Sequence, residues 1–193
     1  MARIAFILAD DFEDAEFRVP YDRVKQAGHE AVIIGLEAGE PVKGKKGEEV
    51  ITPEKAVRNV SSREFDALVI PGGYSPDHLR MDIDMVGFVR DFFRADKPLA
   101  AICHAPWMFV EADIADGRTL TSWPSLKTDL INAGARWVDR EVVEDGNVIT
   151  SRNPGDLLAF SEALLRQVEH GIARRLEAPL APEAASEQPP TMH

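Results

Sequence analysis

The chain contains one cysteine, Cys103, in the string Ala101-Ile102-Cys103-His104-Ala105. The apolar run Pro98–Ile102 precedes it and reads as a buried strand, while His104–Ala112 reads as a helix. The thiol therefore falls on a strand-to-helix turn. Small residues two positions to either side are the pattern of a nucleophile elbow, here with alanines where glycines are common, because bulkier side chains would meet neighbouring backbone at so sharp a turn. A lone cysteine is ordinarily an inert small hydrophobe. At a helix N-terminus, however, unpaired N–H groups favour the thiolate and lower the thiol pKa. Cys103 is thus read as a reactive thiolate.

Other groups are expected to converge on it. Pro71-Gly72-Gly73 ends an apolar strand pattern, and two glycines let backbone N–H groups face a ligand unobstructed. Gly72 and Gly73, together with the N–H of His104, are candidate oxyanion donors. The acidic stretch Asp10-Asp11-Phe12-Glu13-Asp14-Ala15-Glu16 follows the first strand. Glu13 is the carboxyl expected beside the thiol, its pKa raised by partial burial so that it donates a hydrogen bond to sulfur. A direct Cys103–His104 relay is disfavoured, since successive helical side chains point about 100° apart. His29, His78, His170 and His193 have no metal-ligand spacing with one another or with Cys103, and no phosphate-binding glycine loop is present, so neither a metal nor a cofactor is expected. Lys43, Lys45 and Lys46, among glycines, read as a solvated turn.

Strand and helix patterns alternate along the chain. Strands are expected at Arg3–Leu8, Ala31–Gly35, Asp66–Ile70 and Pro98–Ile102, and hairpins at Val42–Ile51 and around Asp145-Gly146. Helices are expected at Glu13–Ala27 (with Pro20 inside), Asp84–Arg94, Pro124–Ala133 and Pro154–Ile172. This alternation implies an α/β fold with a mostly parallel sheet covered on both faces, its ligands at the carboxyl ends of the strands. Residues 1–172 form one expected domain. From Ala173 the composition turns to Ala, Pro and Glu, too poor in apolar residues to repay ordering, and 173–193 is expected to be a mobile tail.

The net charge of −11 argues against nucleic acid or an anionic membrane as the main partner. The first apolar run meets Asp10 and Asp11 at once, unlike a signal peptide, and no run reaches the ~18 apolar residues of a membrane span. One cysteine precludes an internal disulfide, and a cytoplasmic location is expected.

Taken in order, Phe12-Glu13-Asp14, Ile70-Pro71-Gly72-Gly73, Ala101-Ile102-Cys103-His104-Ala105-Pro106 and Thr121-Ser122-Trp123-Pro124 resemble the PfpI-type family, from about Arg3 to Val168. That family includes intracellular peptidases, general stress proteins and protein deglycases, within the class I glutamine-amidotransferase-like superfamily. The resemblance implies a flavodoxin-like three-layer α/β/α sandwich and a homodimer or homohexamer. It also implies Cys103 as nucleophile, Glu13 as its carboxyl partner, and oxyanion binding by Gly72, Gly73 and His104. In the family's peptidase pattern His104 partners the thiol, and an acidic residue of a neighbouring subunit, at the position of Asp77, orients the histidine. The family has glutamate there, one methylene longer, and a misplacement of ~1 Å can cost ~100-fold. Three activities stay open: hydrolysis of reactive carbonyls or glycation adducts, peptide hydrolysis, and non-catalytic redox sensing or chaperone action through Cys103 oxidation.

Overall fold

A computed structural model describes residues 1–177. In chain order its elements are β1 (Arg3–Ile7), α1 (Asp14–Gln26), β2 (Glu30–Gly35), β3 (Val42–Lys43), β4 (Val50–Ile51), β5 (Lys55–Ala56), β6 (Ala67–Ile70), α2 (Ser75–Leu79), α3 (Ile83–Arg94), β7 (Leu99–Ile102), α4 (Trp107–Glu111), β8 (Thr119–Leu120), α5 (Lys127–Asn132), β9 (Arg136–Trp137), β10 (Val142–Asp145), β11 (Val148–Ser151) and α6 (Leu157–Glu177). Seven strands form one sheet in the order β10-β11-β7-β6-β1-β2-β5. Every pair is parallel except the β10–β11 hairpin, which turns at Asp145-Gly146 as its sequence demands.

Because β6, β7 and β1 are covered on both sides, their residues read as continuous apolar runs, and alternate side chains feed two cores. Ile4, Phe6, Val69, Ala100 and Ile102 face α1 and α6, where Phe17, Val24, Phe160 and Leu164 meet them. Ala5, Ile7, Leu68, Ile70 and Ala101 face the opposite layer, with Val89, Phe92, Met108 and Phe109. The result is the three-layer α/β/α sandwich. Strand order reverses at β1, which lies between β2 and β6, so the carboxyl ends of β1, β6 and β7 border the crevice where such sheets place ligands.

Several boundaries differ from the sequence reading, the helices expected from Pro124 and Pro154 becoming α-helical only at Lys127 and Leu157 after a 3-10 turn each. The last helix continues through Glu177, so residues 173–177 are helical, and the rest of the expected tail lies outside the described residues. The helix expected from His104 begins only at Trp107, residues 103–106 being turns.

The β3–β4 hairpin lies against the start of α1. The Asp14 carboxylate accepts backbone N–H bonds from Lys46 at 3.0 Å, Glu48 at 3.1 Å and Glu49 at 2.8 Å. Burial opposes the charge on Asp14, but these donors win and hold its pKa below the ordinary carboxylate range. Gly44 packs on the same carboxylate so closely that a Cβ would collide with it. The Lys45 N–H donates to Phe12 O at 2.8 Å, and Arg18 grips Glu49 through both carboxylate oxygens at 2.8 and 2.6 Å. Asp14→Ala is expected to destabilise the fold by about 1–3 kcal/mol, since three part-buried backbone donors lose a charged acceptor. Amide exchange at Lys46, Glu48 and Glu49 should quicken selectively, measured by hydrogen-exchange mass spectrometry or NMR.

Candidate active site

Cys103 takes φ = 64°, a left-handed conformation unusual for a residue with a side chain. It is fixed on both sides. Its own N–H donates to Ser151 O at 3.0 Å, beside the last rung of the β7–β11 pairing, and its carbonyl accepts from Trp123 N–H at 2.9 Å. This strained elbow lifts the thiol off the end of β7 into the crevice, where it is 8% exposed.

The loops after β1 and β6 are sewn to each other beside it. Glu13 N–H donates to Gly72 O at 3.1 Å, and Tyr74 N–H donates to Asp11 O at 2.8 Å. Both glycines are required by close approach. At Gly72 a Cβ would lie 2.6 Å from the Cβ of Cys103; at Gly73, where φ is 77°, it would run into the backbone of Asp11–Glu13.

The carboxyl beside the thiol is Glu16, which corrects the expectation for Glu13. Glu16 is fully buried, its Oε2 accepts the Gly72 N–H at 2.9 Å, and its carboxyl and the Cys103 side chain crowd the same point at Gly72, so that each bears on the charge of the other. Glu13 turns the other way. Its carboxylate pairs with Lys45 and Lys46, each at 2.8 Å, and although burial opposes the charge the two ammonium groups hold its pKa below the ordinary range. The difference is one of register. On α1, Glu16, Pro20 and Val24 follow at spacing four and are all buried, whereas Glu13 precedes the helix. A carboxyl on the apolar stripe was the available signal. The two lysines are correspondingly ligands of Glu13 and not a merely solvated turn.

Burial, reinforced by the neighbouring Glu13 charge, pushes the Glu16 carboxyl up to about 8 against the Gly72 N–H that favours its ionised form. The thiol is also pushed up, by burial first and then by the Glu16 charge, while N–H groups of Gly73 and His104 favour the thiolate. The helix terminus expected to lower the thiol pKa is absent, because α4 starts four residues later. The pair resists carrying two negative charges in a confined space, so it retains a proton across the neutral range.

The oxyanion donors also need one correction. Gly73 and His104 present N–H groups to the sulfur, but the Gly72 N–H is occupied by Glu16. His104 Nδ1 lies 3.1 Å from Sγ, contrary to the helical-spacing argument, because the left-handed turn at Cys103 replaces helical geometry. Its Nε2 is 3.4 Å from Ser125 Oγ, and burial together with the Lys45 charge keeps its pKa below the ordinary value. Trp107, Trp123 and Tyr74 surround the imidazole at ring-centroid distances of 5.3, 6.2 and 6.4 Å. Asp77 is exposed and faces Arg80 Nε at 3.4 Å, so within the chain it is not the partner of His104.

The sequence profile of the DJ-1/PfpI family matches residues 2–167. The chain belongs to that family. It is 48% identical over 165 residues to protein/nucleic acid deglycase 2 of Escherichia coli (strain K12), covering 85% of this chain and 96% of the relative. It is 44% identical over 168 residues to general stress protein 18 of Bacillus subtilis (strain 168), covering 86% and 98%. Among solved structures, a two-domain protein of Anabaena variabilis with DJ-1/ThiJ/PfpI-like and ferritin-like domains superposes with a TM-score of 0.87 at 38% identity. That match spans 90% of this chain and half of the two-domain one. The DJ-1/PfpI fold thus carries in this chain a cluster of buried Cys103 and Glu16 with half-buried His104. Among the described residues no helix is long and apolar enough to cross a membrane.

A carboxyl with a raised folded-state pKa binds its proton more tightly in the native state. Its contribution to stability is full below the unfolded value and is lost as pH rises through the folded one. Relative to Glu16→Gln, the wild type should therefore lose stability between about pH 4.5 and about 8. The check is the difference in Tm between the two proteins across that range.

Proposed function

We propose that the chain is a stress-protective, cysteine-dependent hydrolase acting on reactive carbonyls or early glycation adducts. The observation that carries the reading is the meeting of Cys103 Sγ with His104 Nδ1 at 3.1 Å, the Glu16 carboxyl, and the N–H groups of Gly73 and His104, brought together from the segments after β1, β6 and β7. The names of the relatives, a deglycase and a general stress protein, support it.

The chemistry follows from the protonation states. His104, kept neutral, takes the thiol proton as sulfur adds to the aldehyde carbon of an α-oxoaldehyde. The developing oxyanion is bonded to the carbon that sulfur attacks, within reach of the donors that face the sulfur. Transfer of the proton from the aldehyde carbon to the adjacent carbonyl carbon turns the hemithioacetal into a thioester. Water then cleaves the thioester to an α-hydroxy acid and regenerates the thiol. The net change is addition of one water, with no external oxidant or reductant. For an early glycation adduct, a hemiaminal, sulfur displaces the amine, C–S forming as C–N breaks and the amine leaving with the thiol proton, which gives the same hemithioacetal. Neutral Glu16 donates to sulfur throughout and avoids a second buried charge.

The short Sγ–Nδ1 distance also favours a second reading, a peptidase in which Cys103 and His104 act together. The group at His104 Nε2 within the chain is the Ser125 hydroxyl, so an orienting carboxylate would come from Asp77 of a neighbouring subunit in a homodimer or homohexamer.

Cys103→Ala is expected to reduce methylglyoxal consumption and deglycation of a methylglyoxal-treated peptide by at least ~100-fold. The assay is hydroxy-acid and amine release followed by chromatography, and retained turnover would remove Cys103 from the mechanism. Fluorogenic peptide hydrolysis that depends on Cys103 and rises in Asp77→Glu would instead select the peptidase.

A further inference from the structure

No group of the Glu13–Lys45–Lys46 cluster gives or takes a proton in the steps above, yet the cluster stands beside the thiol. The hairpin that carries the lysines is fixed by Asp14, by Phe12 O and by the Arg18–Glu49 pair, so their backbone positions are not adjustable. The Glu13 carboxylate is only 5% exposed and takes one lysine on each oxygen. Two ammonium groups on one carboxylate leave a net positive charge at the rim of a crevice that also holds the Glu16 carboxyl, the Cys103 thiol and the His104 imidazole.

The lysines are not equivalent. Lys45 lies within electrostatic reach of Cys103, Glu16 and His104, whereas the acidic neighbours of Lys46 are Glu13, Glu48 and Asp14. The charged and titratable groups that bear on the site are thus Glu13 and Glu16 from the β1–α1 segment, Lys45 from the hairpin, and Cys103 and His104 from the elbow. Only one of them is a fixed cation.

We propose that Lys45, clamped at 2.8 Å on the buried carboxylate of Glu13, whose N–H is tied to the Gly72 that abuts Cys103, is a positioning residue that sets the charge felt by the sulfur and the imidazole. It acts on both partners of the proton transfer in the useful direction. A nearby cation stabilises the thiolate and repels a proton from the imidazole, so sulfur gives up its proton more readily while the ring nitrogen stays free to receive it. Glu13 holds the ammonium group in place without touching the reacting atoms. The inference rests on Cys103 being the nucleophile, but it is measured without substrate.

Since Cys103 is the sole cysteine, the pH dependence of iodoacetamide incorporation reports one thiol, and the His104 ring proton can be followed by NMR in the same full-length protein. Lys45→Met is expected to raise the midpoints of Cys103 alkylation and of His104 titration together, each by about 0.5–1 pH unit, as loss of one nearby positive charge requires. Lys45→Arg should return both towards wild type. If Lys45 served only to hold the hairpin down, its loss would admit water. The thiol, now raised by burial, would then fall, while the histidine, now lowered by burial, would rise. Opposite shifts, no shift, or a shift in one group alone overturns the proposal. Loss of turnover in Cys103→Ala is a separate observation, so failure of the hydrolase reading and failure of this one are distinguishable.

Discussion

The site depends on a single buried carboxyl. Glu16 joins two loops that the chain brings from distant positions, accepting the Gly72 N–H after β6 and reaching the thiol after β7. An ionised carboxylate in that position would be costly beside a thiolate, and a neutral one still needs hydrogen-bonding partners. Retaining a proton between acid and sulfur meets both requirements. Much of the local architecture follows: glycines at 72 and 73 because no Cβ fits, a left-handed Cys103 so that sulfur leaves the strand end, and Glu13 turned outwards to neutralising lysines.

The fold supplies rigidity where the chemistry needs it. The elbow is tied to β11 through Ser151 and to the segment after β8 through Trp123, so its unfavourable backbone conformation is overdetermined by the surrounding sheet. The aromatic side chains around His104 limit its rotation and its hydration, which keeps the ring neutral and close to sulfur. Positional strain and selective burial, more than any unusual residue type, separate this cysteine from an inert one.

Much of this was legible in the residues. Apolar strand runs, the Asp145-Gly146 turn and the small residues about Cys103 announce the sheet, its hairpin and the elbow, because each reflects a local steric rule. The choice between Glu13 and Glu16 was not legible from strand-end proximity alone. Three residues apart, they differ in whether the backbone has yet entered the helix, and element boundaries are where sequence patterns are weakest. The stripe of Glu16, Pro20 and Val24 held the information, but Pro20 obscured where the helix began. The His104 geometry escaped for a related reason. Helical spacing does not hold for a residue that follows a left-handed turn, and a positive φ at a non-glycine residue leaves no compositional trace. Burial likewise reversed the expected effect on the thiol, because the helix that was to stabilise its charge starts further along.

The way the hairpin is fastened has a consequence for variation. Asp14 reads three backbone amides and no side chain, and Lys45 is likewise fastened through its main chain. Apart from Gly44, whose missing side chain makes room for the clamp, the loop's position is largely independent of what its side chains are. Drift or design can therefore rewrite the charges at positions 45, 46 and 48 while the scaffold stays in register. The polarity of the crevice becomes an evolvable setting, adjustable for new substrates without renegotiating the strained elbow beneath it.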